Sequence, residues 1–154
     1  MNTKADIELK HFSQDREAFF FACDKLENSG QWDLGALGPM AVYFEADLFA
    51  VALQVMSIDG VFETPEAEVL NAMFDTSYTP RELGELYESA APVATAYAKE
   101  DEESALTLLA QIDPAVRDQY RDLLLKACDV IAVSDGEAEK SERMLIAALR
   151  EALA

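Results

Sequence analysis

The sequence predicts an all-α fold, and three observations carry that prediction. The Val-Ile-Thr alternation of strands is absent. Ala, Leu, Glu, Lys and Arg instead fill segments whose apolar residues recur at helical spacing. Polar residues followed directly by proline mark helix starts at Thr64-Pro65, Thr79-Pro80 and Asp113-Pro114. In each pair a side-chain oxygen can cap free amides, and proline at the first helical position loses no hydrogen bond.

Taken in order, the pattern gives a helix over about 13–27 and then a loop from Asn28 to Pro39 that holds Gly30, Gly35 and Gly38. Further helices follow over about 40–57, 65–75, 80–98, 102–112, 114–133 and 139–153. Thr79 and Glu82 have capping-box spacing, and the acids of Glu100–Glu103 suit the positive end of the next helix dipole. The expected architecture is one compact helical unit of about seven helices. Residues 1–39 form an N-terminal helix and glycine-containing loop, and 40–154 form the main helical domain.

An internal repeat organises the main domain. Asp59-Gly60-Val61-Phe62-Glu63-Thr64-Pro65-Glu66 recurs 76 residues later as Asp135-Gly136-Glu137-Ala138-Glu139-Lys140-Ser141-Glu142. Flanking apolar positions keep the same offset. Phe44, Leu48 and Val55 correspond to Tyr120, Leu124 and Ile131, while Val69, Leu70 and Met73 correspond to Leu145, Ile146 and Leu149. Each copy reads as helix, acidic turn, helix, so two pseudo-equivalent hairpins are expected to pack together.

Composition narrows the chemistry. Thirty acidic side chains against twelve basic ones give a net charge of −18, which repels a phosphate backbone and disfavours nucleic-acid binding. His11 is the single histidine, which removes most zinc and Ser-His or Cys-His chemistry. Cys23 and Cys128 are expected to be core thiols. The polar start and the lack of a ~20-residue apolar run predict a cytoplasmic, non-transmembrane chain. No nucleophile elbow, P-loop, dinucleotide fingerprint or HExxH occurs, so a non-enzymatic role without an organic cofactor is expected.

Two readings of the acidic turns stay open. In one, Gly60 or Gly136 ends a helix in the left-handed region, the aspartate suits the bend and the glutamates serve the next helix's N-terminus. In the other, Asp59, Glu63 and Glu66, with Asp135, Glu139 and Glu142, are oxygen ligands for a hard divalent cation, calcium first. The spacing is not that of an EF-hand, because Val61 stands two residues after Asp59. For partners, Phe19, Phe20 and Phe21 cannot all face one way on a helix. At least one ring is therefore free for a protein or dimer contact. Trp32 either tips the loop as a docking residue or packs over the core.

The duplicated turn resembles the TerB-like family of tellurite-resistance proteins, whose motif reads Ala-Asp-Gly-Glu-hydrophobic-Ser-Pro-Glu-Glu at a helix–helix turn. Asp59, Gly60, Pro65 and Glu66 match it in the first copy, and Asp135, Gly136, Glu137 and Glu142 in the second. The resemblance spans about residues 40–154. It implies a cytoplasmic, non-catalytic helical module of tellurite and chemical-stress responses, working near the membrane with protein partners. It also implies Asp59, Glu66, Asp135 and Glu142 as divalent-metal ligands. Glu63 and Glu139 stand where the family has its serine cap, and Ser141 replaces the proline in the second copy.

Overall fold

Residues 3–32, 38–57, 59–90, 92–98, 105–134 and 140–153 are described by a computed structural model. Among them run eight helices and no strand: α1 (Thr3–Asn28), α2 (Met40–Met56), α3 (Thr64–Phe74), α4 (Pro80–Ser89), α5 (Val93–Ala98), α6 (Ala105–Ile112), α7 (Pro114–Ser134) and α8 (Lys140–Leu153). The all-α expectation holds. No described helix is long and apolar enough to cross a membrane.

Most termini follow their local chemistry. At α4 the Thr79 hydroxyl accepts from the Glu82 amide at 3.2 Å, and the Glu82 carboxylate accepts from the Thr79 amide at 3.0 Å. This reciprocal box satisfies two otherwise orphaned donors. At α7 the Asp113 carboxylate accepts from the Ala115 amide at 3.0 Å. Helix α1 closes in a Schellman arrangement. Gly30 is left-handed at φ 81°, its amide reaches the Glu27 carbonyl, and the Gln31 amide reaches the Leu26 carbonyl.

Two expectations need correction. Helix α1 begins at Thr3 rather than near residue 13, adding turns that bury Phe12 completely. The single helix expected over 80–98 is two, α4 and α5, parted at Ala90. Ala90 is extended (φ −78°, ψ 141°) ahead of Pro92. Proline brings no amide to continue a helix and clashes with a helical conformation at the residue before it.

Helix α7 occupies the centre, with α1, α2, α6 and α8 packed on it. Phe12, Phe19, Cys23 and Leu26 give α1 an apolar stripe. In α2 the stripe runs through Phe44, Leu48, Val51 and Val55. Aromatic rings fill the junction of these helices. Phe19 stacks on Tyr120 at 4.8 Å between centroids, and Phe44 meets Tyr120 edge-on at 5.1 Å. Lys126 pairs with Glu8 at 3.2 Å and Arg16 with Glu45, tying α1 to α7 and α2 at the surface.

The repeat reappears as burial. Phe44 and Tyr120, Leu48 and Leu124, Val55 and Ile131, Leu70 and Ile146, and Met73 and Leu149 are all buried. Val69 and Leu145 are both half-buried. Phe44 and Tyr120, equivalent by the repeat, touch each other. The two hairpins therefore present corresponding faces to one core.

Candidate functional site

The first acidic turn is organised by its own chain. Helix α2 ends at Met56, and Ser57 leaves it in extended conformation (φ −144°). The Ser57 hydroxyl lies 2.8 Å from Asp59 Oδ1 and 2.9 Å from the Val61 carbonyl, and it accepts from the Gly60 amide at 3.2 Å. Asp59 Oδ1 also accepts from the Val61 amide at 3.0 Å. These bonds favour the ionised form and hold the exposed Asp59 carboxyl below its ordinary range.

Gly60 is left-handed at φ 79°, as expected, but stands four residues beyond α2 instead of ending it. Its need for glycine is twofold. A Cβ there would lie 2.7 Å from the Tyr87 ring of α4. Next to it, a Cβ on Gly84 would meet the Gly60 carbonyl at 3.2 Å. The turn is thus seated closely against α4.

Glu63, exposed, is the N-cap of α3, and its amide donates to Glu66 Oε1 at 2.9 Å. Thr64, the cap expected from its Pro65 neighbour, is the first helical residue instead. Asp59 and Glu66 thus each direct an oxygen to a backbone amide. Among the described residues no three acidic, histidine or cysteine side chains converge as a metal would require. The first turn by itself does not fit a metal centre. Asp135 and Glu139 lie outside the described residues, as do the run 100–103 and the side chain of Glu142.

A second polar feature was not singled out by the sequence reading. Asp47 lies three residues after Phe44 and one before Leu48, on the edge of the buried stripe of α2. Its Oδ2 accepts from the Tyr97 hydroxyl of α5 at 2.8 Å and from the Tyr120 hydroxyl of α7 at 2.5 Å. Burial pushes the Asp47 carboxyl up, and the two hydroxyls pull it back only in part. Burial and the neighbouring carboxylate drive both tyrosines far above their usual range. Among the described residues no Lys or Arg side chain pairs with Asp47.

Asp47 lines a cavity of about 560 Å³ between α2 and α4. Tyr43, Phe49 and Leu53 of α2, Leu86 of α4 and Val93 of α5 supply apolar walls. Val42, 61% exposed, stands at the mouth. Gln54, on the same helix, accepts from the Ala94 amide at 2.8 Å and anchors the start of α5. The signal for Asp47 was its place in the helical period, a carboxylate on an apolar stripe. Its partners are 50 and 73 residues away in sequence, beyond the reach of any local pattern.

The proposed contact residues divide. Phe19 is fully buried and Phe20 half-buried, whereas Phe21 is 62% exposed with the Lys25 ammonium 4.6 Å from its ring. Trp32 is buried, its indole N–H donating to the Gly38 carbonyl at 2.7 Å, so it is a core residue and not a docking tip. Phe19 likewise belongs to the core, where it stacks on Tyr120. Asp129 forms a surface pair with Arg150 at 2.7 Å. His11 is exposed. Both cysteines are buried and free, and burial pushes each thiol up to about 12.

A protein-family model described as tellurite resistance protein TerB matches residues 45–154. No curated protein and no solved structure matches the chain. The matched span begins within α2, shortly before Asp47, and includes both acidic turns.

Proposed function

The chain belongs to the TerB family of tellurite resistance proteins, and from that membership we propose a non-enzymatic, cytoplasmic interaction module that recruits a protein partner in tellurite and related chemical stress. The observation that carries this reading is the use of the first turn's carboxylates. Asp59 binds the Val61 amide within the turn and Glu66 binds the amide of the N-cap Glu63, so both carboxylates serve the local backbone. Contact with a partner, membrane-associated or a second copy, then falls to apolar side chains on the outer surface. Phe21 is the foremost of these, with Phe20 beside it.

A second reading has the two acidic turns jointly take a divalent cation, calcium first. The exposed, ionised Asp59 favours it. Because the first turn brings too few oxygens together, this site needs ligands from Asp135, Glu139 or Glu142 in addition to Asp59, Glu63 and Glu66.

Calorimetric and thermal titration with calcium, magnesium, manganese and zinc separates the two readings. The interaction module without a metal site gives flat titrations and an unchanged Tm with all four. A cation site stabilises the native state by about 2.7 kcal/mol at a concentration a hundredfold above Kd. The combined Asp59→Ala and Asp135→Ala variant then loses that rise. A metal-induced rise that vanishes in the double variant replaces the capping reading with the cation site.

A further inference from the structure

We propose that the cavity between α2 and α4 binds a small organic ammonium ion, with its apolar body between the helices and its charged nitrogen on Asp47. Three observations converge on that class of ligand. The cavity, about 560 Å³, lies within the range of small-molecule sites, roughly 300–1,000 Å³. Its walls are aliphatic and aromatic, supplied by Tyr43, Phe49, Leu53 and Leu86. Among the described residues Asp47 is the one charged residue that lines it, and none of their cationic side chains pairs with it.

Charge decides the sign of the ligand. A half-buried carboxylate on an apolar wall without a counter-ion is a costly group, and a cation is what relieves it. The two tyrosine hydroxyls are directed at Oδ2 from α5 and α7, so they fix the carboxylate from behind while α2 presents it to the cavity. A net charge of −18 gathers cations around the molecule as a whole. The apolar walls would then select, from those cations, the ones that carry a hydrocarbon body. Simple metal ions, which require several oxygens, find one carboxylate here. A single carboxylate anchor in a cavity of this volume suits a compact amine better than an extended peptide.

The test is calorimetric titration of the intact protein at physiological salt with phenethylamine, in parallel with phenethyl alcohol and methylammonium. Fluorescence gives a second readout, because Trp32 is the single tryptophan and its ring lies 5.4 Å from that of Tyr43, a wall residue. Phenethylamine is expected to bind saturably, and the alcohol about tenfold or more weakly, as the loss of a charge-assisted hydrogen bond implies. Methylammonium, which shares the charge but lacks the body, should be weaker again.

Asp47→Asn keeps an oxygen for the two tyrosines and should erase the preference for the amine over the alcohol. Ala46 also lines the cavity, so Ala46→Leu narrows it with Asp47 intact and should weaken phenethylamine, and the proposal is tested even if the asparagine variant folds poorly. The proposal is overturned if no saturable binding occurs at millimolar concentration, if alcohol or methylammonium matches the amine, or if the preference survives in folded Asp47→Asn. Binding of the amine undiminished in Ala46→Leu also overturns it.

Discussion

At Gly60 two demands meet in one residue. The backbone is left-handed, a conformation that costs an L-residue about 1–2 kcal/mol, and a Cβ would intrude on the Tyr87 ring at 2.7 Å. Displacing a packed ring adds about 1–3 kcal/mol. Gly60→Ala should therefore destabilise the protein by about 2–5 kcal/mol in urea unfolding. A loss of only about 1–2 kcal/mol, the backbone cost alone, would mean that Tyr87 swings aside freely. The left-handed turn was legible in the Asp59-Gly60 pair, since both residue types favour such bends. The pressure from Tyr87 was not, because it arises from the docking of α4. Asp47 makes the same point more sharply. Its place on the apolar stripe of α2 was legible, but the hydroxyls that hold its half-buried carboxylate arrive on two other helices.

Helix boundaries were best read where the chain supplies its own cap. The α4 start is fixed by hydrogen bonds within four residues, Thr79 to Glu82, and the sequence pattern located it to the residue. Thr79→Ala removes the hydroxyl acceptor and should cost about 1 kcal/mol. At this chain length that is a fall of roughly 2–4 °C in Tm by calorimetry. Thr79→Ser should retain most of the stability, and an unchanged Tm in the alanine variant would show that water replaces the cap. The same rule misplaced the start of α3, because Glu63 and not Thr64 takes the cap position. It also overran Pro92, where apolar spacing continues across a residue that cannot continue the helix. Periodicity records which face is buried; it does not record where the backbone turns.

Across the whole molecule, Asp47 couples global stability to pH. Burial raises its native value above the ordinary 3.8, while Tyr120 and Tyr97 oppose the shift and Tyr43 lies nearby along the cavity. The native state therefore holds this proton at a pH where the unfolded chain has released it. The stabilisation it brings is full below about 3.8 and is lost as pH rises through the native value. Asp47→Asn cannot ionise, so it should gain stability relative to the unsubstituted protein over that rise and keep the gain at pH 7. Urea unfolding of both proteins at pH 3.5 and pH 7 checks the sign; an equal difference at the two pH values would contradict it.

The correspondence of Phe44 with Tyr120, two equivalent residues in direct contact, has a consequence for ancestry. Joining two copies of one hairpin that had paired face to face would leave such a contact behind. In a symmetric pair every change occurs twice, so a carboxylate at one position would sequester two charges in one interior. A single chain escapes that doubling. Asp47 occupies the position equivalent to Leu123, which is buried and apolar. Fusion would thus let one half remain ordinary core while the other departs from symmetry, so that a pseudo-symmetric scaffold carries one carboxylate on an apolar pocket where a symmetric pair would carry two.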